Sequence, residues 1–237
     1  MSQETPARRG SHVQMPVTYA AVGASKLPDI VRFPPNGSTP YEESLRLGSG
    51  QPRFLTASSL LMTWAAQRGA EITVEELDSA KLDGYAGPDF AADGTPVAPA
   101  DLEEQFAPDG TPFIAPGTRA RVALPGAIAR EVLVIYTISD ARQVGFAWGT
   151  ADHAGPVGEQ LFLVEHREDD SVWAIGRGFL EAPKEGLFGR KGKQALQSTL
   201  DAITAQLKAL LPGATPENGA GQDAAESSEP GSTPEAS

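Results

Sequence analysis

The residues of this chain whose types could support chemistry are His153, His166, Glu159, Glu165, Arg46 and Arg177. Histidine titrates near neutral pH, and beside a glutamate it can move a proton. His153 stands in a loop rich in turn formers, Ala151 to Pro156, and His166 ends a strand-like run. Glu165 and His166 are adjacent, so in a strand they point to opposite faces and cannot act together from that strand. Glu159 and Arg177 read either as a charged pair inside an apolar interior or as an outward pair across neighbouring strands. Arg46 precedes Gly48-Ser49-Gly50 and a helical stretch. Backbone N–H groups at a helix start, with a guanidinium beside them, suit an anion. The same residues also make a tight turn in which Ser49 or a neighbour caps the helix.

These positions do not add up to a known catalytic set. The two separated histidines lack metal-ligand spacing such as H-E-x-x-H, so no metal site is expected. The chain has no cysteine, which excludes disulfides, thiol catalysis and cysteine-ligated metals. No G-x-S-x-G elbow is present. The stretch GLFGRKGK, 186–193, resembles a phosphate loop only superficially. Its glycine spacing is one residue too long, and Gln194 stands where Ser or Thr is required. We assign no catalytic residue and expect no cofactor. Trp64, Tyr136, Phe146, Trp148 and Trp173 read as core or as the walls of a ligand box.

The elements that must carry these residues follow from periodicity. Val132 to Ile138, Val144 to Thr150, Glu159 to His166 and Ser171 to Leu180 are apolar or alternating runs separated by turn formers, and predict an antiparallel meander. In the last run Trp173, Ile175, Arg177 and Phe179 share one face, while Ala174, Gly176 and Gly178 share the other. Thr118 to Leu124, Glu71 to Glu75 and Val17 to Gly23 predict shorter strands, and Leu27 to Tyr41 a loop. A helix is predicted from Gln51 to Arg68, with Phe54, Ala57, Leu60, Leu61, Trp64 and Ala65 on one face and a left-handed stop at Gly69. A second is predicted from Lys184 to Leu211, with the stripe Leu196, Leu200, Ile203, Leu207 and Leu210.

One domain over 16–211 is the expected organisation, with a long surface loop at 78–117 and disordered tails at 1–15 and 212–237. The net charge of −12, from 31 acidic against 19 basic residues, argues against nucleic acid as a partner. No apolar run is long enough to span a bilayer, and the N-terminus lacks a signal-peptide core, so a cytoplasmic location is expected.

Strand, helix, about six strands and a long terminal helix make an α+β chain. We expect a curved antiparallel sheet of about seven strands gripping the C-terminal helix. That layout resembles the helix-grip fold of START and Bet v 1-like proteins, which implies a cavity between sheet and helix. The chain also resembles the family catalogued as domain of unknown function number nineteen-ninety. The resemblance rests on Tyr19-Ala20-Ala21-Val22-Gly23, Arg46-Leu47-Gly48-Ser49-Gly50, Phe54, Trp64 and Gln67-Arg68-Gly69-Ala70. It continues in Gly145 to Thr150 with His153, Gly158 to His166, and Val172-Trp173. Where the family tends to carry two acidic residues this chain has Glu159-Gln160, which departs from any role for paired carboxylates. The family implies no reaction. The expected function is therefore binding of a small apolar or amphipathic ligand in that cavity. The ligand-binding candidates are Arg46, Trp64, Tyr136, Phe146, Trp148, Glu159, Trp173 and Arg177. The alternatives are a cyclase, hydrolase or isomerase using His153 or His166 in the same cavity, or a solid-cored domain that binds a protein through loop 78–117.

Overall fold

The structure is a computed structural model and describes residues 17–78, 89–90, 96–97, 105–183 and 190–214. In chain order the strands are β1 (Thr39–Ser49), β2 (Thr73–Asp78), β3 (Asp89–Phe90), β4 (Pro96–Val97) and β5 (Arg119–Ala123). They continue with β6 (Arg130–Ser139), β7 (Gln143–Thr150), β8 (Val157–His166) and β9 (Ser171–Glu181). The helices are α1 (Gln51–Met62), α2 (Ala65–Gly69) and α3 (Arg190–Ala209), with a 3-10 turn at Ala24–Lys26. The main sheet has seven strands in the order β1-β9-β8-β7-β6-β5-β2, all antiparallel. β3 and β4 form a separate pair.

The β6–β9 meander follows directly from the sequence. Its tight turns close where polar residues interrupt the apolar runs: the Asp140 N–H donates to the Gln143 carbonyl, and the Arg167 N–H to the Ser171 carbonyl. β1 begins inside the expected loop 27–41 and runs on through 42–49, for which no strand was expected. Leu45 and Leu47 alternate there with Ser44 and Arg46, but β1 is an edge strand, and its polar outward positions hide the period. Val17 to Gly23, expected as a strand, is irregular and lies across the sheet.

The predicted first helix is two helices. Trp64 takes a left-handed conformation, φ 62, between α1 and α2. A bulky residue rarely does so. Burial offsets the strain here, because the turn drives the indole into the core with 1% of its surface exposed. The left-handed residue expected at Gly69 is found instead at Glu71, φ 61. Of the predicted second helix, α3 spans Arg190–Ala209, while 184–189 lie outside the described residues, as do the tail 1–15 and positions 215–237.

α1 and α3 pack against one face of the sheet, hereafter the inner face. It carries Val132, Val134, Phe146, Trp148, Phe162, Val164, Val172 and Ala174. This is the helix-grip layout: one curved antiparallel sheet, its register broken by bulges at Arg46/Gly48, Glu76/Asp78 and Val134/Tyr136, holding the C-terminal helix. Close approach of α3 requires a glycine. A Cβ on Gly176 would stand 2.6 Å from Ile203 Cγ2. Ile203 and Leu207, from the predicted stripe, fill the space over β9. The segment 105–117 also returns to the core, where Ile114 is buried and its N–H donates to the Met62 carbonyl.

Candidate functional site

α3 meets the two halves of the sheet differently. Its apolar stripe covers β9, while Ala195, Ser198, Thr199, Ala202 and Gln206 face β5 to β8. Small side chains there cannot fill the gap. A cleft of about 380 Å³ results, partly open to solvent. Its sheet wall is Val122, Val132, Trp148, Thr150 and Gln160, and its rim is formed by Leu124 to Arg130, Ala154 to Pro156 and Lys191.

The rim is braced by Asp152. Its carboxylate accepts from Arg130 Nε at 2.5 Å, from the Glu131 N–H at 2.5 Å and from the Ala154 N–H at 2.9 Å. Burial alone would raise the Asp152 carboxyl, but these donors outweigh it and hold the pKa below the usual carboxylate value. Arg130 also donates to the carbonyls of Asp152 and Pro156. Its guanidinium is thus committed to the loop.

The deeper wall carries polar groups in an apolar setting. Trp148 and Gln160 are direct partners across β7 and β8. Gln160 is 7% exposed; its carboxamide makes no hydrogen bond among the described residues and is not closed off from the solvent in the cleft. Trp148 Nε1 and Gln206 Oε1, on side chains of the same lining, also lack partners among the described residues. Behind the wall Trp64 stacks on Trp148 with centroids 5.5 Å apart and meets Phe146 edge-on at 5.2 Å, and Phe162 completes the cluster. Such pairs add about 0.5–1.5 kcal/mol each beyond area burial.

The structure distributes the sequence-derived candidates over several places. Trp148 lines the cleft; Trp64 and Phe146 pack behind it. Tyr136, Glu159, Trp173 and Arg177 lie on the outer face, because the bulge at Val134/Tyr136 turns Tyr136 outward and β8 and β9 alternate. Arg177 pairs with Glu42 across the strands at 3.6 Å, and Arg167 lies over the Trp173 ring at 4.4 Å. Arg46 is exposed beside Trp173, and no side chain caps α1, whose start is a glycine turn with Gly50 at φ 91. His153 is exposed in the rim loop. His166 bonds Gln51 at 3.1 Å and Asp170 at 2.8 Å and stacks on Phe54, away from the cleft. Among the described residues, no His, Asp or Glu lines the cleft.

Glu159 is fully buried, yet it serves the N-terminal segment instead of the cleft. It accepts from the Tyr19 hydroxyl at 2.7 Å, the Gly23 N–H at 2.7 Å, the Ser25 N–H at 2.9 Å and the Ser25 hydroxyl at 2.5 Å. The Ser25 hydroxyl also bonds that of Tyr136 at 2.8 Å. Tyr19 fits because Gly149 has no side chain: a Cβ there would collide with the phenol.

Residues 102–185 match the model of a domain of unknown function, DUF1990. The matched segment contains β5 to β9, and with them Arg130, Trp148, Asp152, Glu159 and Gln160; α3 lies beyond it. The family resemblance read from the sequence is thereby shown over that segment. Two solved structures are similar in part. One is the hypothetical protein jhp0584 from Helicobacter pylori, 11% identical, covering 90% of this chain and 98% of that one, TM-score 0.48. The other is Ara h 8.0201, 11% identical, covering 75% and 100%, TM-score 0.40. No match is found among curated proteins. Among the described residues no helix is long and apolar enough to cross a membrane.

Sequence reasoning passed over Gln160, Asp152 and Tyr19. A signal for Gln160 existed: alternation puts it opposite Glu159, hence on the wall that faces α3. Asp152 and Tyr19 act through partners about 20 and 140 residues away, which no local pattern displays.

Proposed function

We propose that this protein binds a small amphipathic molecule in the cleft between the sheet and α3. The cleft volume falls in the range of small-molecule sites, about 300–1,000 Å³. Its wall is mostly apolar, from Val122, Val132 and Trp148. The observation that carries the reading is a pair of buried polar atoms on the lining, Trp148 Nε1 and Gln206 Oε1, that have no partner among the described residues. Buried polar side chains nearly always have partners, and leaving one without costs about 1–3 kcal/mol. An indole donor and a carboxamide acceptor left so in an apolar wall suit a ligand that supplies their partners.

The reading is tested by titrating the full chain with 1-anilinonaphthalene-8-sulfonate, alongside native mass spectrometry after mild purification. Saturable dye binding that Ala202→Phe removes is expected, because that side chain would occupy the gap beside α3. Dye binding unchanged by Ala202→Phe, or none at all with no co-purifying molecule, would refute it.

A further inference from the structure

We infer that the cleft takes an elongated amphipathic anion, with its acidic end at the rim against Lys191 and its apolar body along Val122, Leu124, Val132 and Trp148. This rests on the cleft being the binding site and adds the charge and orientation of what binds.

Shape comes from α3. Its lining positions run from Lys191 to Gln206, fifteen residue steps, or about 22 Å at 1.5 Å per step. They recur at three- and four-residue intervals, so the cleft follows the helix axis and suits a long, narrow occupant.

Charge comes from the lining. The chain carries 31 acidic and 19 basic residues, yet among the described residues the cleft is lined by Arg130 and Lys191 and by no carboxylate. Arg130 is neutralised by Asp152 at 2.5 Å. Lys191 is exposed at the rim, and no ion-pair partner is found for it among the described residues. It lies in the first turn of α3, where the N–H groups carry the positive end of the helix dipole. An acid there meets two positive contributions for which no compensating carboxylate is found among the described residues. Gln160 lies on the opposite wall, 7% exposed and without a partner among the described residues, ready for a hydroxyl or carbonyl set back from the acid.

The test compares three probes of equal length on the full chain by isothermal titration calorimetry at low salt: sodium dodecanoate, 1-dodecanol and dodecylamine, each below its aggregation limit. Dodecanoate is expected to bind roughly fivefold more tightly than dodecanol, and dodecylamine more weakly than either. Lys191→Ala, at an exposed position, should cut the preference for the acid to the smaller part that the helix dipole supplies, with dodecanol affected far less than dodecanoate. Raising the salt should shrink the preference in the same way. Equal binding of dodecanoate and dodecylamine, or an acid preference undiminished by Lys191→Ala, overturns this inference. Failure of all three probes to bind overturns the cleft reading as well.

Discussion

The Tyr19 hydroxyl donates to Glu159 Oε2 at 2.7 Å, across 140 residues of chain. Two motifs of the family resemblance, Tyr19 to Gly23 and Gly158 to His166, meet at this contact. The first motif is irregular backbone, so it cannot join the ladder of the sheet. A buried carboxylate takes its N–H groups instead, and the N-terminal segment is held over the outer face. Removing the carboxylate leaves several buried donors unpaired. Glu159→Ala should lower stability by about 3–5 kcal/mol, and Tyr19→Phe by about 1.5–3 kcal/mol, in urea unfolding. A Glu159→Ala protein as stable as the parent would show that the segment is not anchored there.

Alkaline titration reads the same cluster. Tyr19, Tyr41 and Tyr136 have raised pKa values. Burial is the main cause for each, and the Glu159 charge adds to it. A raised folded pKa means the folded state keeps the proton longer than the unfolded chain. The resulting stability is present in full below about pH 10, the unfolded tyrosine value, and is lost as the pH rises toward the folded pKa. Phenolate absorbance should therefore show these tyrosines silent through about pH 10–11, then appearing together with loss of circular dichroism. Gradual ionisation of three or more of the four tyrosines in the folded protein would contradict their burial.

Gly176 sets how near α3 can come. Gly176→Val would drive side-chain atoms into Ile203, and overpacking of this kind costs about 1–3 kcal/mol. The double variant with Ile203→Ala should recover part of that loss, giving a coupling energy of about 0.5 kcal/mol or more. Additive effects would mean that helix and strand do not touch at this point.

Gln160→Leu offers a test with the opposite sign. Replacing a partnerless carboxamide in an apolar wall by an apolar side chain of similar size should raise the stability of the unliganded protein by up to about 1 kcal/mol. Most core substitutions destabilise, so a gain would mark a position kept for binding at the expense of stability. A loss of 1 kcal/mol or more would indicate that the amide is already satisfied by the protein.

The meander β6 to β9, the stripe of α3 and the small-residue face of β9 were legible in the chain, because each is a local period of two or 3.6 residues that burial enforces. The break at Trp64 was not. Its helical spacing continued unbroken, and only the core's demand for the indole forced a left-handed turn. β1 escaped notice because half of an edge strand is solvated. The division of labour on β8 shows the limit most plainly. Alternation alone separates Glu159 from Gln160. Which face would be sealed by Tyr19 and Ser25, and which left open by the small residues of α3, depends on segments more than 30 residues away. Local spacing sets where a side chain points; long-range packing sets what it meets, and that is a sum over contacts no window of the sequence contains.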